Sequence, residues 1–276
     1  MIRTMNTAAN TIGQLQLQLD TISNNIANSN TNGYKTKQAT FQELLYQQHN
    51  NDNLDKTLRQ SPVGVRQGVG AHISQIQSNE SQGSIKLTDR SLDFAFTAEN
   101  QYFNVAMEDG TTGFTRQGNF YMSPQQDGTN LLVTSDGYPV ISSNGNTISL
   151  PQGVSEFTMA EAGTLNVKYG DGQVIQYDLA VTKITKPQLM EQLNGGAYIG
   201  LPDNLGELGY AQEDILTELQ GPNRGEISMQ MGALEMSNVD LSKEMTNLIA
   251  TQRSYQYNSR AITIADQMLG LVNGIR

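Results

Sequence analysis

The amino-acid sequence predicts an α+β protein, with long N- and C-terminal α-helices that pair as a coiled-coil-like domain and a central antiparallel all-β domain. Apolar residues recur at helical spacing near both ends of the 276-residue chain, and Asp-Gly and Asn-Gly pairs separate short alternating runs in its middle. We expect four parts. They are an N-terminal helix with the motif that follows it (1–45), an extended connector (46–90), a β domain with an irregular return segment (91–231) and a C-terminal helix (232–276) that packs with the first part.

The N-terminal helix is predicted from one apolar stripe whose members are three or four residues apart: Ile12, Leu15, Leu19, Ile22 and Ile26. A stripe this narrow is typical of a coiled coil and differs from the broad apolar face of a helix in a globular core. We expect the helix to run from about residue 6 to about residue 29. It should close at Asn32-Gly33, because glycine readily adopts the left-handed conformation that ends helices.

The stretch SNNIANSNTNGYK, residues 23–35, holds five asparagines at the end of this helix. Two interpretations are open. In the first, the helix frays into a loop of asparagine turns. In the second, Asn24, Asn25 and Asn28 hydrogen-bond backbone groups of neighbouring subunits, in contacts that would not tolerate a charge.

The middle of the chain has the turn pairs and alternating runs of antiparallel β structure. Its turn pairs are Asp109-Gly110, Asp127-Gly128, Asp136-Gly137, Asn144-Gly145 and Asp171-Gly172. Strands are expected at 102–107, 131–134, 165–169 and 174–179, and LNVKYGDGQVIQYDLA is the clearest hairpin. These signals predict a compact β domain over about 91–185, followed by an irregular path from 187 to 231, where prolines and glycines accumulate.

The C-terminal helix is predicted to begin at a capping box, Ser237 to Asp240, with Met236 and Leu241 as a hydrophobic staple. A seven-residue periodicity then relates its apolar residues, with polar residues at the alternate stripe positions, and no proline interrupts the helix. The apolar residues are Leu241, Met245, Leu248, Tyr255, Ile262 and Leu269, and the polar ones are Gln252, Ser259 and Asp266. Neither terminal helix can bury its stripe alone. The helices could pack on each other, on the β domain or on other molecules, and the last choice produces a polymer.

Composition excludes several functional classes. Residues 61–231 carry eight Lys or Arg against nineteen Asp or Glu, whereas both ends are nearly neutral, so no segment has the basic face of a nucleic-acid binder. The chain contains no cysteine, which excludes disulfides and thiolate metal sites. We expect neither a cleaved signal peptide nor a membrane-inserted segment, because no apolar run has the required length.

No constellation of an active site, metal site or cofactor site is found. The two histidines, His49 and His72, lie in polar sequence without metal-ligand or catalytic spacing, and solvated positions are expected for both. The acidic pairs Glu108-Asp109 and Glu213-Asp214 are interpreted as loop residues. The aromatic residues Tyr102, Phe103, Phe114, Phe120 and Tyr121 could stack a sugar, but at alternating strand positions they are interpreted as core. We therefore predict a protein that is not an enzyme and has no cofactor.

Both terminal segments resemble the flagellar basal-body rod and hook proteins, with the distal rod branch the most similar. SNNIANSNTNGYK is similar to a motif of that family through Asn24, Asn25, Ala27, Asn28, Thr31, Gly33, Tyr34 and Lys35. LEMSNVDLSKEMTNLIATQRSYQYNSRAITIADQML is similar to the family's C-terminal hallmark, in which Gln252, Arg253, Tyr255 and Asn258 match. Central segments such as LDFAFT and LLVTSDGYPV resemble its strands. One departure is that Ala98 to Gln101 replace the family's Gly-x-Gly turn.

The resemblance implies a structural subunit of the basal-body rod that self-assembles through its terminal helices into a hollow axial tube. It implies export by the flagellar type III apparatus without a cleaved signal, and contacts with copies of itself and with neighbouring rod or hook proteins. The residues expected to serve assembly are Ile12, Leu15, Leu19, Ile22, Asn24, Asn25, Ile26, Asn28, Gly33, Tyr34, Leu241, Met245, Leu248, Gln252, Arg253, Tyr255, Asn258, Ile262 and Leu269. The alternative is a secreted adhesin or carbohydrate-binding β module on a helical stalk.

Overall fold

A computed structural model describes residues 2–43, 47–49, 65–67, 70–193, 197–202, 205 and 209–274. The chain divides into two compact units. The helical unit comprises Met1–Ala27, Lys37–Gln77 and Asp240–Arg276, and the β unit comprises Asn28–Thr36 and Ser78–Val239. The predicted α+β class is confirmed.

The helices are α1 (Ile2–Ala27), the short α2 (Gln212–Ile215) and α3 (Leu241–Gly274). In the helical unit, α1 packs against α3. Strands β1 (Lys37–Glu43) and β4 (Ala71–Ser78) pair beside α1, and β2 (Gln47–His49) pairs with β3 (Val65–Gln67). Most of the predicted connector between residues 46 and 70 lies outside the described residues.

Helix α1 ends at Ala27, two residues before the predicted end, and Gly33 does not close it directly. A turn intervenes, in which the Thr31 N–H donates to the Asn28 carbonyl oxygen at 3.1 Å and the Thr31 hydroxyl donates to the Asn28 side-chain oxygen at 3.1 Å. Such local side-chain bonds compete with helical ones, which explains the earlier end. Gly33 does take the left-handed conformation, with a φ of 71°, but within the β unit.

The β unit is built from antiparallel strands in one large sheet and several small ones. The strands are β5 (Ile85–Leu87), β6 (Phe94–Phe96), β7 (Gln101–Ala106), β8 (Thr112–Thr115), β9 (Tyr121–Pro124), β10 (Thr129–Val133), β11 (Ser149–Pro151), β12 (Val154–Ala160), β13 (Thr164–Tyr169), β14 (Val174–Asp178), β15 (Val181–Ile184), β16 (Glu191–Gln192), β17 (Tyr198–Gly200), β18 (Leu216–Glu218), β19 (Met229–Met231) and β20 (Ala233–Glu235). The large sheet has the order β16-β17-β8-β7-β15-β18. The small sheets are β11-β10-β9, β12-β13-β14, β19-β6 and β20-β5.

The predicted hairpin turns are confirmed by backbone conformation. The glycines of all five turn pairs have positive φ angles, between 75° and 92°. Only glycine adopts this region without steric cost, so the turns fix where each strand reverses. In the clearest hairpin, β13 and β14 pair in a register that places Leu165 opposite Tyr177.

The return segment is more regular than predicted. Strands β16, β17 and β18 all join the large sheet, and β17 lies inside it, with Tyr198 opposite Thr115 of β8. Each of these strands is only two or three residues long, which is too short for an alternating pattern to be visible in the sequence.

Three phenylalanine rings pack together in the core of the β unit. Phe96, Phe103 and Phe120 are fully buried, and the ring centroids are 4.3 Å apart for Phe96 and Phe103 and 5.0 Å apart for Phe103 and Phe120. The core assignment of the aromatic residues is thus confirmed, except that Tyr121 is exposed beneath the Arg90 guanidinium. Where the family's Gly-x-Gly turn is replaced, Asn100 takes a left-handed φ of 60°, which asparagine tolerates better than most residues.

Candidate self-assembly site

The apolar stripe of α1 faces inward, as predicted from its spacing. Leu15 and Ile22 are buried, and the other members of the stripe are half-buried. Ala8 extends the buried positions by one heptad towards the N-terminus. Because α1 packs on α3, the first of the packing choices left open by the sequence is realised within a single chain.

Two rows of residues form the stripe of α3, and one of them lies one residue before the predicted row. Its heptad members Leu248, Tyr255, Ile262 and Leu269 are half-buried as expected, but the alternate positions are Glu244, Thr251, Asn258 and Ala265. The residues predicted there, Gln252, Ser259 and Asp266, are exposed, as are Arg253, Leu241 and Met245. The prediction had placed the bulky apolar residues Leu241 and Met245 on the stripe at the start of α3. In the structure the buried residues of α3 are Glu244, Thr251 and Ala265, and the Glu244 carboxylate contacts Asn25 of α1.

A second stripe on α1 is polar and was not predicted. Its members are spaced by four and three residues, and all are buried or half-buried: Thr7, Thr11, Gln14, Gln18, Thr21 and Asn25. This stripe lies against the strands of the helical unit. The Gln14 side-chain oxygen accepts a hydrogen bond of 2.8 Å from the Ile73 N–H, and Gly70 lies beside Thr7 and Thr11. Neutral side chains can satisfy strand backbone groups there without burying a charge.

Asn25 is the most deeply buried residue of the polar stripe, with only 1% of its surface exposed. Its side-chain N–H donates to the Lys37 carbonyl oxygen at 2.8 Å, and its side-chain oxygen accepts from the Lys37 N–H at 2.9 Å. Its amide also lies 3.4 Å from a Glu244 carboxylate oxygen on α3. A side-chain amide carries a donor and an acceptor side by side, as a peptide group does, so Asn25 imitates a strand neighbour for β1.

For Asn25 the structure therefore provides a role within the chain that neither sequence interpretation contained. Asn28 forms the turn with Thr31, as in the interpretation of an asparagine-turn loop. Contacts of Asn24 and Asn28 with other subunits stay a prediction. The signal for the role of Asn25 was present in the sequence, because Asn25 continues the four-and-three spacing of the polar stripe.

The last residues of the motif fold into the β unit. A Cβ atom on Gly33 would lie 2.6 Å from the carbonyl carbon of Arg116, so no other residue fits there without displacing the backbone. The Gly33 N–H donates to the Glu235 carbonyl oxygen at 2.8 Å. Tyr34 is almost completely buried, and its carbonyl oxygen accepts from the Asn238 N–H.

A buried charge cluster in the β unit joins the N-terminal motif to the C-terminal one. The Glu235 carboxylate accepts from the Lys35 ammonium and from the Arg116 guanidinium, each at 2.7 Å, and from the Gly83 N–H at 3.0 Å. Burial lowers the pKa of Lys35, the Arg116 charge lowers it further, and the Glu235 carboxylate opposes part of this shift. The cluster stabilises the fold only while all its members are present, because each charge is buried.

Asn238 makes a second link of the same kind. Its side-chain oxygen accepts from the Thr36 N–H at 2.7 Å and the Thr36 hydroxyl at 2.6 Å, while its amide donates to the carbonyl oxygens of Asn79 and Ser81. The predicted capping box at Ser237 is wrong, because helix α3 begins at Leu241. Helix α3 is capped by Asp240, whose carboxylate accepts from the N–H groups of Ser242 and Lys243 at 3.0 and 3.2 Å.

The histidines and acidic pairs considered as catalytic or metal-binding groups do not come together in the described part of the chain. Within those residues, no three His, Asp or Glu side chains are placed to hold a metal ion, and no helix is long and apolar enough to cross a membrane. His72 is exposed, and so are the two acidic pairs. The side chain of His49 lies outside the described residues.

Comparisons with known proteins match both ends and the centre. Three family models match: flagella basal body rod protein over residues 5–35, the flagellar hook protein FlgE/F/G D1 domain over 99–167, and the flagellar basal body rod FlgEFG protein C-terminal over 230–275. The chain is 44% identical to the flagellar hook-basal body complex protein FlhP of Bacillus subtilis, over 100% of both chains. It is 35% identical to the flagellar basal-body rod protein FlgG of Caulobacter vibrioides, over 100% of both, and 31% identical to that of Borreliella burgdorferi, over 100% of this chain and 99% of the other.

Proposed function

The chain belongs to the flagellar basal-body rod and hook protein family, and on this premise we propose that it is a structural subunit of the basal-body rod. In this role it assembles with copies of itself, through its terminal helices, into a hollow axial tube. The members of this family are structural proteins and not enzymes. The identity to relatives named as rod proteins supports a rod position, with the distal rod as the expected segment.

One observation carries the assembly proposal. The first and last segments of the chain fold together as one helical unit whose surface keeps large apolar side chains exposed. Leu17 of α1 and Leu241, Met245 and Ile249 of α3 are each about half exposed. Exposed apolar residues in such number on two paired helices are typical of surfaces that other molecules cover. Helices of identical copies are the simplest cover for them.

The charge distribution supports the same proposal. Helix α1 carries only Arg3 and Asp20 over its 26 residues, so copies of the helical unit can pack side by side with little repulsion. The acidic excess lies in the β unit and not in the helical unit. We also propose contacts with neighbouring rod and hook proteins, because they belong to the same family.

We further propose that the chain is exported by the flagellar type III apparatus without removal of an N-terminal segment. Helix α1 supplies the buried stripe that packs on α3, so its removal would uncover α3. The alternative of a carbohydrate-binding module is not favoured. The family is one of rod and hook proteins, and four of the five aromatic residues that could stack a sugar are buried.

Assembly and folding are expected to be linked. Two helices that share one narrow stripe gain little packing energy, so we expect the terminal helices to pair with only marginal stability in the dilute monomer and to become fully ordered when neighbouring copies cover them. Hydrogen exchange on dilute monomer tests this expectation. Slow amide exchange across residues 6–30 in the monomer would show that the helices need no neighbours.

The assembly proposal is tested by electron microscopy and sedimentation of the concentrated full-length protein. Leu19→Asp and Leu248→Asp each place a charge on the stripes that pair α1 with α3. We expect both variants to lose polymerisation while the β unit keeps its near-UV circular dichroism. Tubes formed normally by either variant, or the absence of tubes from the unaltered protein, would contradict the proposal.

A further inference from the structure

Helix α3 carries a second stripe, on a face turned away from α1. Its members are Ser254, Tyr257, Ala261, Ile264, Met268 and Leu271, spaced by three and four residues throughout. All are exposed, and the four large ones expose 67%, 52%, 44% and 68% of their surface, for Tyr257, Ile264, Met268 and Leu271 respectively. We name this set the outer stripe. No charged residue interrupts it.

The spacing of the outer stripe indicates what covers it. Alternation of three and four residues gives a mean period of 3.5, which is the period of helices that pack along one another in a coiled coil. Within the described residues, helix α1 packs on the other stripe of α3 and leaves the outer stripe exposed, so a helix that covers the outer stripe would come from another molecule.

We propose that the outer stripe of α3 receives the outward face of α1 from a neighbouring copy of this chain. This proposal rests on the proposed function and specifies which faces meet. A stripe that met its own equivalent would give a closed dimer, whereas a contact between two different faces can repeat along a tube. Among the described residues, α1 is the other long helix of the helical unit, and its outward face is exposed along the helix.

The outward face of α1 consists mainly of small residues: Ala9, Gly13, Gln16, Asp20, Ser23 and Ala27, all exposed and also spaced by four and three. Large side chains of the outer stripe would fit between them, since small residues let helix backbones approach. Gly13 is otherwise unexplained, because glycine weakens a helix and a Cβ atom there would meet nothing within 4 Å. A close approach by a neighbouring helix accounts for it.

Charge agrees with this pairing. Arg253 and Arg260 lie on α3 beside the outer stripe, while Asp20 is the single acidic residue of α1 and lies on its outward face. None of the three forms an ion pair within the described residues. A neighbouring copy would bring Asp20 of α1 close to the arginines that lie beside the outer stripe.

The size of the outer stripe explains why a stable dimer is not expected. Its four large side chains each expose on the order of 100 Å² of surface. Counting both partners, one contact would bury roughly 800 Å² in total. A stable pairwise complex needs about 1,200–2,000 Å². Each contact is therefore weak alone and becomes effective only when a copy is held by several neighbours.

The test compares two substitutions one residue apart on α3. Ile264→Asp places a charge on the outer stripe, and Thr263→Asp places the same charge on an exposed position beside it. We expect Ile264→Asp to raise the concentration needed for assembly by about tenfold or more, while its urea unfolding matches the unaltered protein. Thr263→Asp should change neither quantity.

Two outcomes would overturn the inference. Assembly of Ile264→Asp at the ordinary concentration would mean that no copy uses the outer stripe. Destabilisation of its monomer, to the extent expected for Ile262→Asp on the inward stripe, would mean that the chain covers the outer stripe itself. If the unaltered protein forms no tubes at all, the proposed function fails first and this inference falls with it.

Disulfide trapping identifies the counterpart face, because the chain has no cysteine of its own. Ile264→Cys protein is assembled with an equal amount of Ala9→Cys, Gly13→Cys or Gln16→Cys protein and then oxidised. We expect a mixed disulfide with at least one of the three. If Ile264→Cys links only to itself, the outer stripe meets its equivalent and the pairing with α1 is wrong.

Discussion

The sharpest single test of the motif is the removal of the Asn25 side chain. In Asn25→Ala, the N–H and the carbonyl oxygen of Lys37 both lose their partners at a site that is 1% exposed. Each buried backbone group left without a partner costs about 1–3 kcal/mol. Alanine is the better helix former by about 0.5 kcal/mol, which offsets a small part. We therefore expect the helical unit to lose roughly 2–5 kcal/mol of stability.

The assay is urea unfolding followed by far-UV circular dichroism, which reports mainly the long helices, combined with hydrogen exchange at the Lys37 amide. Asn10→Ala is the matched control, because Asn10 lies on an exposed position of the same helix. The control should be unchanged or more stable by about 0.5 kcal/mol. If Asn25→Ala unfolds at the same urea concentration as the control and protects Lys37 equally, the strand-like role of Asn25 is refuted.

A companion variant separates the two hydrogen bonds. Asn25→Asp keeps an oxygen that can accept from the Lys37 N–H but removes the donor that serves the Lys37 carbonyl oxygen. It also places a second carboxylate near Glu244, whose oxygen lies 3.4 Å from the present amide. We expect Asn25→Asp to be at least as damaging as Asn25→Ala at neutral pH, because two carboxylates in a buried site repel each other. Equal stability of Asn25→Asp and the unaltered protein would show that the donor is not needed.

Three further predictions concern the rest of the chain. Glu235→Gln should destabilise the β unit by roughly 3–5 kcal/mol in thermal unfolding, because Lys35 and Arg116 would keep buried charges without a carboxylate. Asp240→Ala should cost about 1 kcal/mol of helix stability, and a normal amide exchange rate at the start of α3 would contradict its capping role. Burial and the Asp136 carboxylate raise the pKa of Tyr198 above its ordinary value of 10.0. The folded state therefore favours the protonated hydroxyl, and its contribution to the stability of the fold is fully present below pH 10.0 and is lost as the pH rises above it. Tyr198→Phe should accordingly lose less stability between about pH 9 and about pH 11 than the unaltered protein.

Local patterns explain what could be predicted. The stripe containing Leu15 and Ile22 follows from a period that only a helix places on one face, and the five turn glycines follow from a conformation that other residues avoid. Both signals depend on a few neighbouring residues, so one sequence is enough to find them. Spacing alone does not show which side chains fit against α1, and for this reason one predicted row of the α3 stripe was wrong by one residue. Thr251 and Ala265 occupy the inward positions that had been predicted for their bulkier neighbours Gln252 and Asp266.

Contacts between distant residues could not be predicted. Lys35, Arg116 and Glu235 form their cluster across as many as 200 residues, and no local pattern links them. Each is an ordinary charged residue when the sequence is read in windows. The Asn238 contact with Thr36, 202 residues away, is of the same kind. The resemblance to a family included Lys35 and the C-terminal stretch that contains Glu235 and Asn238, but only the fold shows which residues they bind.

These contacts divide the assembly residues into two groups that experiments can separate. Asn25, Gly33 and Asn238 have their partners within the chain, so substitutions there should abolish tubes by unfolding the subunit. Residues of the outer stripe, such as Ile264, touch nothing that the monomer needs, so substitutions there should give a folded subunit that cannot assemble. Hydrogen exchange on monomers distinguishes the two groups before any polymer forms. A folded, soluble Gly33→Leu monomer with native exchange rates would move this motif residue into the second group, and the close packing of Gly33 on Arg116 argues that no such monomer will be found.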